Sequence, residues 1–177
     1  MALRHKGIFE TKNYWNDYDI QQVIGLADLS TEKITSEEVI RRSVVIGRRI
    51  LLKMSDDITM VCGPSGEKDI PRIDRAIQRL SLRMSVFDQT PFEHLFHALH
   101  AKHSLWDTLL RRKTPLSVAN QFYEELFADN TKHWSPYFLE GWKEDSKSVF
   151  QHELFKKKNV TIFYRSDDLI NSIYCQQ

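Results

Sequence analysis

The sequence has little cysteine, no long apolar run and no excess of charge of either sign. Its two cysteines, Cys62 and Cys175, lie far apart in the 177 residues and make neither a disulfide framework nor a metal knuckle. No apolar stretch approaches the roughly 20 residues of a membrane span, and the N-terminus lacks the apolar core of a signal peptide. We therefore expect a protein without membrane segments, in a reducing cytoplasm.

The composition is that of an ordinary globular protein. The chain has 25 basic and 24 acidic residues, so its formal net charge of +1 offers no electrostatic basis for dedicated nucleic-acid binding. Aromatic residues make up 11% and hydrophobic residues 41% of the chain, which argues against disorder. The length suits one domain, or one domain with an appendage, and excludes two independent enzyme domains.

The pattern of the sequence changes near residue 55. Before it, Ser36 is placed to cap a helix with Glu37 and Glu38 in its first turn, and apolar residues continue that helix. We predict a helical extension over residues 1–55, which covers a sheet or makes a subunit contact, followed by an α/β domain over residues 56–177.

Strands and helices alternate in the second part. The β-prone residues 58–62 end at the turn Gly63-Pro64-Ser65-Gly66, and Asp69 with Pro71 opens a helix. Further strands are predicted at 84–87, 134–139 and 160–164, and further helices at 91–112, 116–127 and 148–157. This alternation predicts a parallel sheet of four to five strands with helices on both faces. Ligands of such sheets lie beyond the carboxyl ends of the strands, which singles out loops 63–69 and 140–147.

Three stretches of the sequence together resemble nucleoside 2-deoxyribosyltransferase-like proteins. They are residues 61–66, residues 86–93 and the stretch from Tyr137 through Gly141-Trp142 to His152-Glu153, and the similarity covers about residues 57–164. The resemblance implies a small flavodoxin-like (Rossmann-like) fold that binds a nucleoside or nucleotide. It also implies hydrolysis or transfer at the N-glycosidic bond with no metal or organic cofactor. We expect a homo-oligomer such as a dimer, in which the helical extension can make the subunit contact.

The resemblance also implies the site residues. A glutamate near the start of a helix attacks the anomeric carbon, a second carboxylate assists the departing base, and loop amides hold the sugar or its phosphate. The ligand-binding positions that it implies here are Gly63, Pro64, Ser65, Gly66, Gly141, Trp142, Asp145 and Ser146.

This sequence departs from the family pattern where the carboxylates should stand. In a gap-free alignment the nucleophile's position holds Gln151, the second carboxylate's position holds Asn120, and the small-residue turn at 145–148 has lost its glycine. Amides hydrogen-bond sugars and bases but supply no anionic nucleophile. We expect a nucleoside-binding protein with impaired or lost catalysis; a shifted register would instead make Glu153 or Glu144 the nucleophile. The alternative is a protein-interaction scaffold that uses the N-terminal helices and their basic face.

Three further patterns have ordinary explanations beside functional ones. His94, His97, His100 and His103 recur every third residue, but this spacing spirals around a helix, so polar surface positions are favoured over a zinc site. The basic residues of 39–53 fit a solvated, acid-paired face better than an anion site: Arg41, Arg42, Arg48, Arg49 and Lys53. Cys62 is expected to be an inert core residue, and Trp142 either stacks on a base or packs in the core.

Overall fold

The computed structural model describes residues 14–29, 35–64, 66, 68–102, 114–128 and 130–165. In chain order its elements are α1 (Asp17–Leu29), α2 (Ser36–Leu52), β1 (Asp57–Cys62), α3 (Ile70–Ser81), β2 (Val86–Phe87), α4 (Thr90–Lys102), α5 (Pro115–Phe127), β3 (His133–Leu139), a short 3-10 helix (Trp142–Glu144), α6 (Ser146–Lys157) and β4 (Phe163–Arg165).

The four strands of the described residues form one parallel sheet in the order β2-β1-β3-β4. The predicted parallel α/β sheet is therefore confirmed, and the strand order is that of the first four strands of flavodoxin-like sheets. Because the chain crosses from one side of β1 to the other, the topology places the usual ligand position of such sheets beyond the carboxyl ends of β1 and β3.

Helices cover both faces of the sheet, as the alternation predicts. Five of the six residues of β1 are buried, which is typical of a parallel strand with a helix layer on each face. On one face α3 contributes Ile73, Ile77 and Leu80 to a core with Val61 and Val86. On the other face residues of α2, α4, α5 and α6 share one apolar core with Ile58, Met60 and Phe138 of the sheet.

The two N-terminal helices are packed into this second core. Residues of α2, among them Ile40 and Ile50, are buried in the same cluster as the strands. A Cβ atom on Gly47 would lie 2.8 Å from Cδ1 of Leu126, so α2 and α5 approach closely at this glycine. Asp19 of α1 is fully buried and joins the two helices through ion pairs to Arg49 at 3.1 Å and Lys53 at 2.8 Å.

Several predicted boundaries differ from the observed ones by a few residues. Ser36 is the first helical residue and not the cap, because the Thr35 hydroxyl accepts the hydrogen bond from the Glu38 amide at 3.2 Å. Asp69 occupies the cap position of α3 but makes no side-chain capping hydrogen bond. Helix α6 begins at Ser146, two residues earlier than predicted, because the Asp145 side chain caps it. Residues 103–112 of the predicted helix 91–112 lie outside the described residues.

Candidate functional site

The first turns of α4, α5 and α6 lie at the carboxyl edge of the sheet. Helix α4 follows the carboxyl end of β2 directly, and α6 follows that of β3 after the short 3-10 helix. Phe127, the last residue of α5, packs on Trp134 near the start of β3, with ring centroids 4.8 Å apart. Helix α5 therefore ends at the amino edge and begins at the carboxyl edge, so side chains from all three helices can meet above β1 and β3.

The two loops predicted to bind a ligand lie against each other at this edge. The Gly63 carbonyl accepts a hydrogen bond from the Ser148 hydroxyl at 2.7 Å, which ties the first loop to α6. A Cβ atom on Gly141 would lie 3.3 Å from Cγ of Pro64. Gly66 is exposed and its carbonyl accepts from the Asp69 amide at 2.7 Å, whereas Ser65 lies outside the described residues.

Gly141 and Trp142 shape the second loop. Gly141 has φ of +82°, a conformation that glycine adopts without strain. The ring of Trp142 stacks on His152 with centroids 4.3 Å apart, and it also contacts Phe138 at 5.0 Å. The Nε2 atom of His152 lies 2.8 Å from the Tyr164 hydroxyl. One face of Trp142 is thus already covered by an aromatic cluster of this chain.

Asp145 caps α6 and Ser146 is its first residue. Of these two side chains, only that of Asp145 makes a described contact. Oδ2 of Asp145 accepts from the Ser148 amide and lies 2.8 Å from the Ser148 hydroxyl, which can donate either to it or to Gly63. Ser146 is exposed. Asp145 therefore acts as a helix cap in this structure.

A buried polar cluster joins the three helices, and we call it the Glu93–Tyr123–Lys147 cluster. The Tyr123 hydroxyl donates to Oε1 of Glu93 at 2.6 Å. The Lys147 ammonium forms an ion pair with the same oxygen, and the Lys147 side chain is only 7% exposed. The ammonium also lies 5.8 Å from the centre of the Tyr123 ring. A carboxylate from α4, a phenol from α5 and a cation from α6 are thus brought into one contact.

Burial and this cluster determine the protonation of two neighbouring groups. Burial raises the pKa of the Cys62 thiol, and the carboxylates of Glu93 and Asp145 raise it further, while Lys147 acts in the opposite direction. Burial and Glu93 raise the pKa of Tyr123 well above its usual value. Cys62 is therefore a protonated core thiol with no nucleophilic character, and Tyr123 remains a hydrogen-bond donor.

Gln151 is buried one turn after Lys147 on α6. It is 1% exposed, and neither its amide oxygen nor its amide nitrogen has a hydrogen-bond partner among the described residues. A buried amide without partners is unusual in a folded protein, which makes Gln151 the first residue to test for contact with a ligand. By contrast Glu153 and Glu144, the alternative nucleophiles, are exposed.

No described side-chain contact joins Asn120 to the Glu93–Tyr123–Lys147 cluster. Its Oδ1 atom is inaccessible and has no partner among the described residues. The residue lines a groove of about 540 Å³ between α5 and α6, together with Leu116, Glu124 and Phe150. The structure thus places both amides, Asn120 and Gln151, on the helices that begin at the carboxyl edge.

Sequence reasoning missed the pairing of Glu93 with Lys147. A signal for it exists, because Lys147 stands in the first turn of a helix, where the helix dipole disfavours a cation. A lysine at such a position requires a nearby anion. The sequence does not reveal which of the acidic residues supplies it.

The basic residues of α2 have partners in this chain. Arg41 and Arg42 both contact Glu38, and these two contacts lower the pKa of Glu38 to about 2. Arg49 and Lys53 pair with Asp19, and Arg48 donates to the Glu125 carbonyl at 3.2 Å. The acid-paired interpretation of this helix therefore agrees with the structure.

The histidines of α4 show no metal-site geometry within the described residues. His94 and His100 are exposed, His97 is half-buried, and His103 lies outside the described ranges. No group of three or more His, Cys, Asp or Glu side chains in the part of the chain that the structure describes could hold a metal ion.

The four-stranded parallel sheet with helices on both faces defines a Rossmann-like α/β protein. No family model matches the chain, and neither a curated protein nor a solved structure matches it. Within the described ranges, the helices are too short or too polar to cross a membrane.

Proposed function

We propose that this chain binds a nucleoside or nucleotide at the carboxyl edge of its sheet and does not cleave the N-glycosidic bond. The observation that carries the proposal is Gln151, a buried amide whose donor and acceptor both lack partners among the described residues. An amide of this kind matches the paired donors and acceptors of a sugar or a base.

The absence of cleavage is supported by the state of the nearby carboxylates. Glu93 is held by Tyr123 and Lys147, and Asp145 caps α6, so each is already hydrogen-bonded. Glu153, two residues after Gln151, is exposed. An attacking carboxylate would have to come from the position that holds Gln151.

The first test is thermal unfolding of the full chain with deoxynucleosides and their monophosphates. At a concentration of 100 times Kd a ligand adds about 2.7 kcal/mol to the free energy of unfolding. We expect such stabilisation to be lost in Gln151→Met, which keeps the size of the side chain, and kept in Lys156→Gln at an exposed position of the same helix. If no compound raises the melting temperature, the binding proposal is wrong.

Chromatography of the free base tests the second half of the proposal. Wild-type protein should release no base from any of these compounds, and release would show that it is an enzyme. Release by Gln151→Glu but not by wild type would show that residue 151 occupies the nucleophile's position.

A second candidate function is protein interaction through α2, and two exposed residues favour it. Val45 and Leu52 are 52% and 81% exposed and lie seven residues apart, on the same face of the helix. Self-association through this face would give the homo-oligomer that we expect the N-terminal helices to form. Sedimentation of wild type and of Val45→Glu/Leu52→Glu tests it, since only the wild type should form the larger species.

A further inference from the structure

The Glu93 carboxylate is held by one of its two oxygens. Tyr123 and Lys147 both contact Oε1, while no hydrogen bond from a described residue reaches Oε2. Three different helices carry these groups, so the carboxylate is fixed in direction. A fixed carboxylate with one free oxygen is a hydrogen-bond acceptor prepared for a donor on a ligand.

Other unpartnered polar atoms lie just before α4 and in the second turn of α6. Gln89 donates its amide to the Val61 carbonyl, which leaves its buried Oε1 without a partner among the described residues. Both amide atoms of Gln151 also lack a partner among the described residues. Acceptor atoms outnumber donors in this set, so the complementary ligand carries several O–H or N–H groups.

The charges at this position favour an uncharged ligand. The buried ammonium of Lys147 is neutralised by Glu93, and the carboxylate of Asp145 lies near enough to act on the same Cys62 thiol. A phosphate bound here would face two carboxylates, with the cation already paired. Like charges in a buried site repel strongly because the surroundings screen them poorly.

Resting on the proposed function, we infer that Glu93 is a ligand-binding residue that accepts a hydrogen bond from a sugar hydroxyl of an uncharged nucleoside, and that Tyr123 and Lys147 position it. The site then selects the nucleoside over its 5′-monophosphate. The site makes this selection because the Lys147 charge is already paired with Glu93 and so does not attract the phosphate.

Calorimetric titration of the full chain with adenosine, thymidine, their 5′-monophosphates and free ribose tests this inference. Removing one partner of a buried ion pair strands the other charge, so the informative variant is Glu93→Gln/Lys147→Met, which neutralises both. Glu38→Gln/Arg41→Met removes a surface ion pair of α2, a helix that contributes no residue to the Glu93–Tyr123–Lys147 cluster, and is the matched control. Circular dichroism and thermal unfolding establish that both variants fold.

We expect nucleosides to bind wild type at least tenfold more tightly than the monophosphates, and the Glu93→Gln/Lys147→Met variant to bind them at least tenfold more weakly. Nucleoside binding that is unchanged in this variant, or tighter binding of the monophosphates, overturns the inference and leaves the proposed function intact. Binding of ribose but no nucleoside, lost in the same variant, overturns the proposed function and supports the role of Glu93. Binding of none of the probes overturns both.

Discussion

Single buried side chains carry most of the information about this site. Gln151 and Glu93 are polar residues in an apolar layer, and such residues are stable there only when their hydrogen bonds and charges are satisfied. Glu93 is satisfied by Tyr123 and Lys147, whereas Gln151 has no described partner. Glu93 is thus held by the fold itself, whereas Gln151 is the residue on which the proposed ligand binding rests.

Asp74 provides a prediction on pH dependence. Burial raises the pKa of Asp74. Burial is also the main reason that the pKa of Asp88 is raised, and the charge of Asp74 raises it further. The folded state then binds more protons than the unfolded state, so stability falls as pH rises above the ordinary aspartate pKa of about 3.9. We expect Asp74→Asn to raise the melting temperature at pH 7 and to have little effect near pH 3.

The control for this prediction is Asp57→Asn, since the Asp57 side chain is 92% exposed. It should show no comparable gain at pH 7. A gain from Asp74→Asn that is equal at both pH values would contradict the electrostatic explanation and indicate a packing effect.

Helix α6 shows how a local element builds the edge of the sheet. Its cap, Asp145, sets the start of the helix. With this start, Lys147 contacts Glu93, and Gln151 lies in the buried layer. The loop predicted over residues 141–146 places the start of this helix at residue 148. The observed start differs because an aspartate before serine residues is itself a capping signal.

Asp145→Ala should destabilise the protein by about 1 kcal/mol, the usual loss for an N-cap. Ser146→Ala, at the exposed next position, should change the free energy of unfolding by less than about 0.5 kcal/mol. Urea denaturation of both variants measures the difference. Equal losses would mean that the Asp145 hydrogen bonds do not stabilise the helix start.

The whole molecule depends on the N-terminal helices more than the sequence suggests. The change of pattern near residue 55 predicts a helical extension and a separate α/β domain. In the structure α1 and α2 contribute residues such as Val23, Ile40 and Ile50 to the core that also contains β1 and β3. A domain without them would expose that core to water.

We therefore expect a fragment of residues 56–177 not to fold cooperatively. Near-ultraviolet circular dichroism and the dispersion of the amide NMR spectrum measure this, with the full chain as the control. A fragment with a dispersed spectrum and a sharp thermal transition would show that the helices are an appendage, and the domain boundary near residue 55 would hold.

The elements themselves could be predicted because they are decided locally. Strand β1, the glycine turn after it and helices α3 and α5 follow from β-propensity, turn residues and apolar spacing over short windows, and the parallel sheet follows from their alternation. The two loops at the carboxyl edge were predictable for the same reason, since every parallel strand ends there. Whether Gly63, Trp142 or Gln151 binds a ligand stays a prediction.

What the tertiary structure decided is which distant residues share a buried environment. Glu93, Tyr123 and Lys147 belong to three helices, and nothing in their own neighbourhoods indicates that they meet. Asp19 likewise finds Arg49 and Lys53 only because α1 packs on α2. Helix and strand propensity and capping act within a few residues, so the sequence by itself determines the helices and strands. Burial and charge pairing act between residues that are distant in the sequence, so only the packing of the helices and strands determines the site.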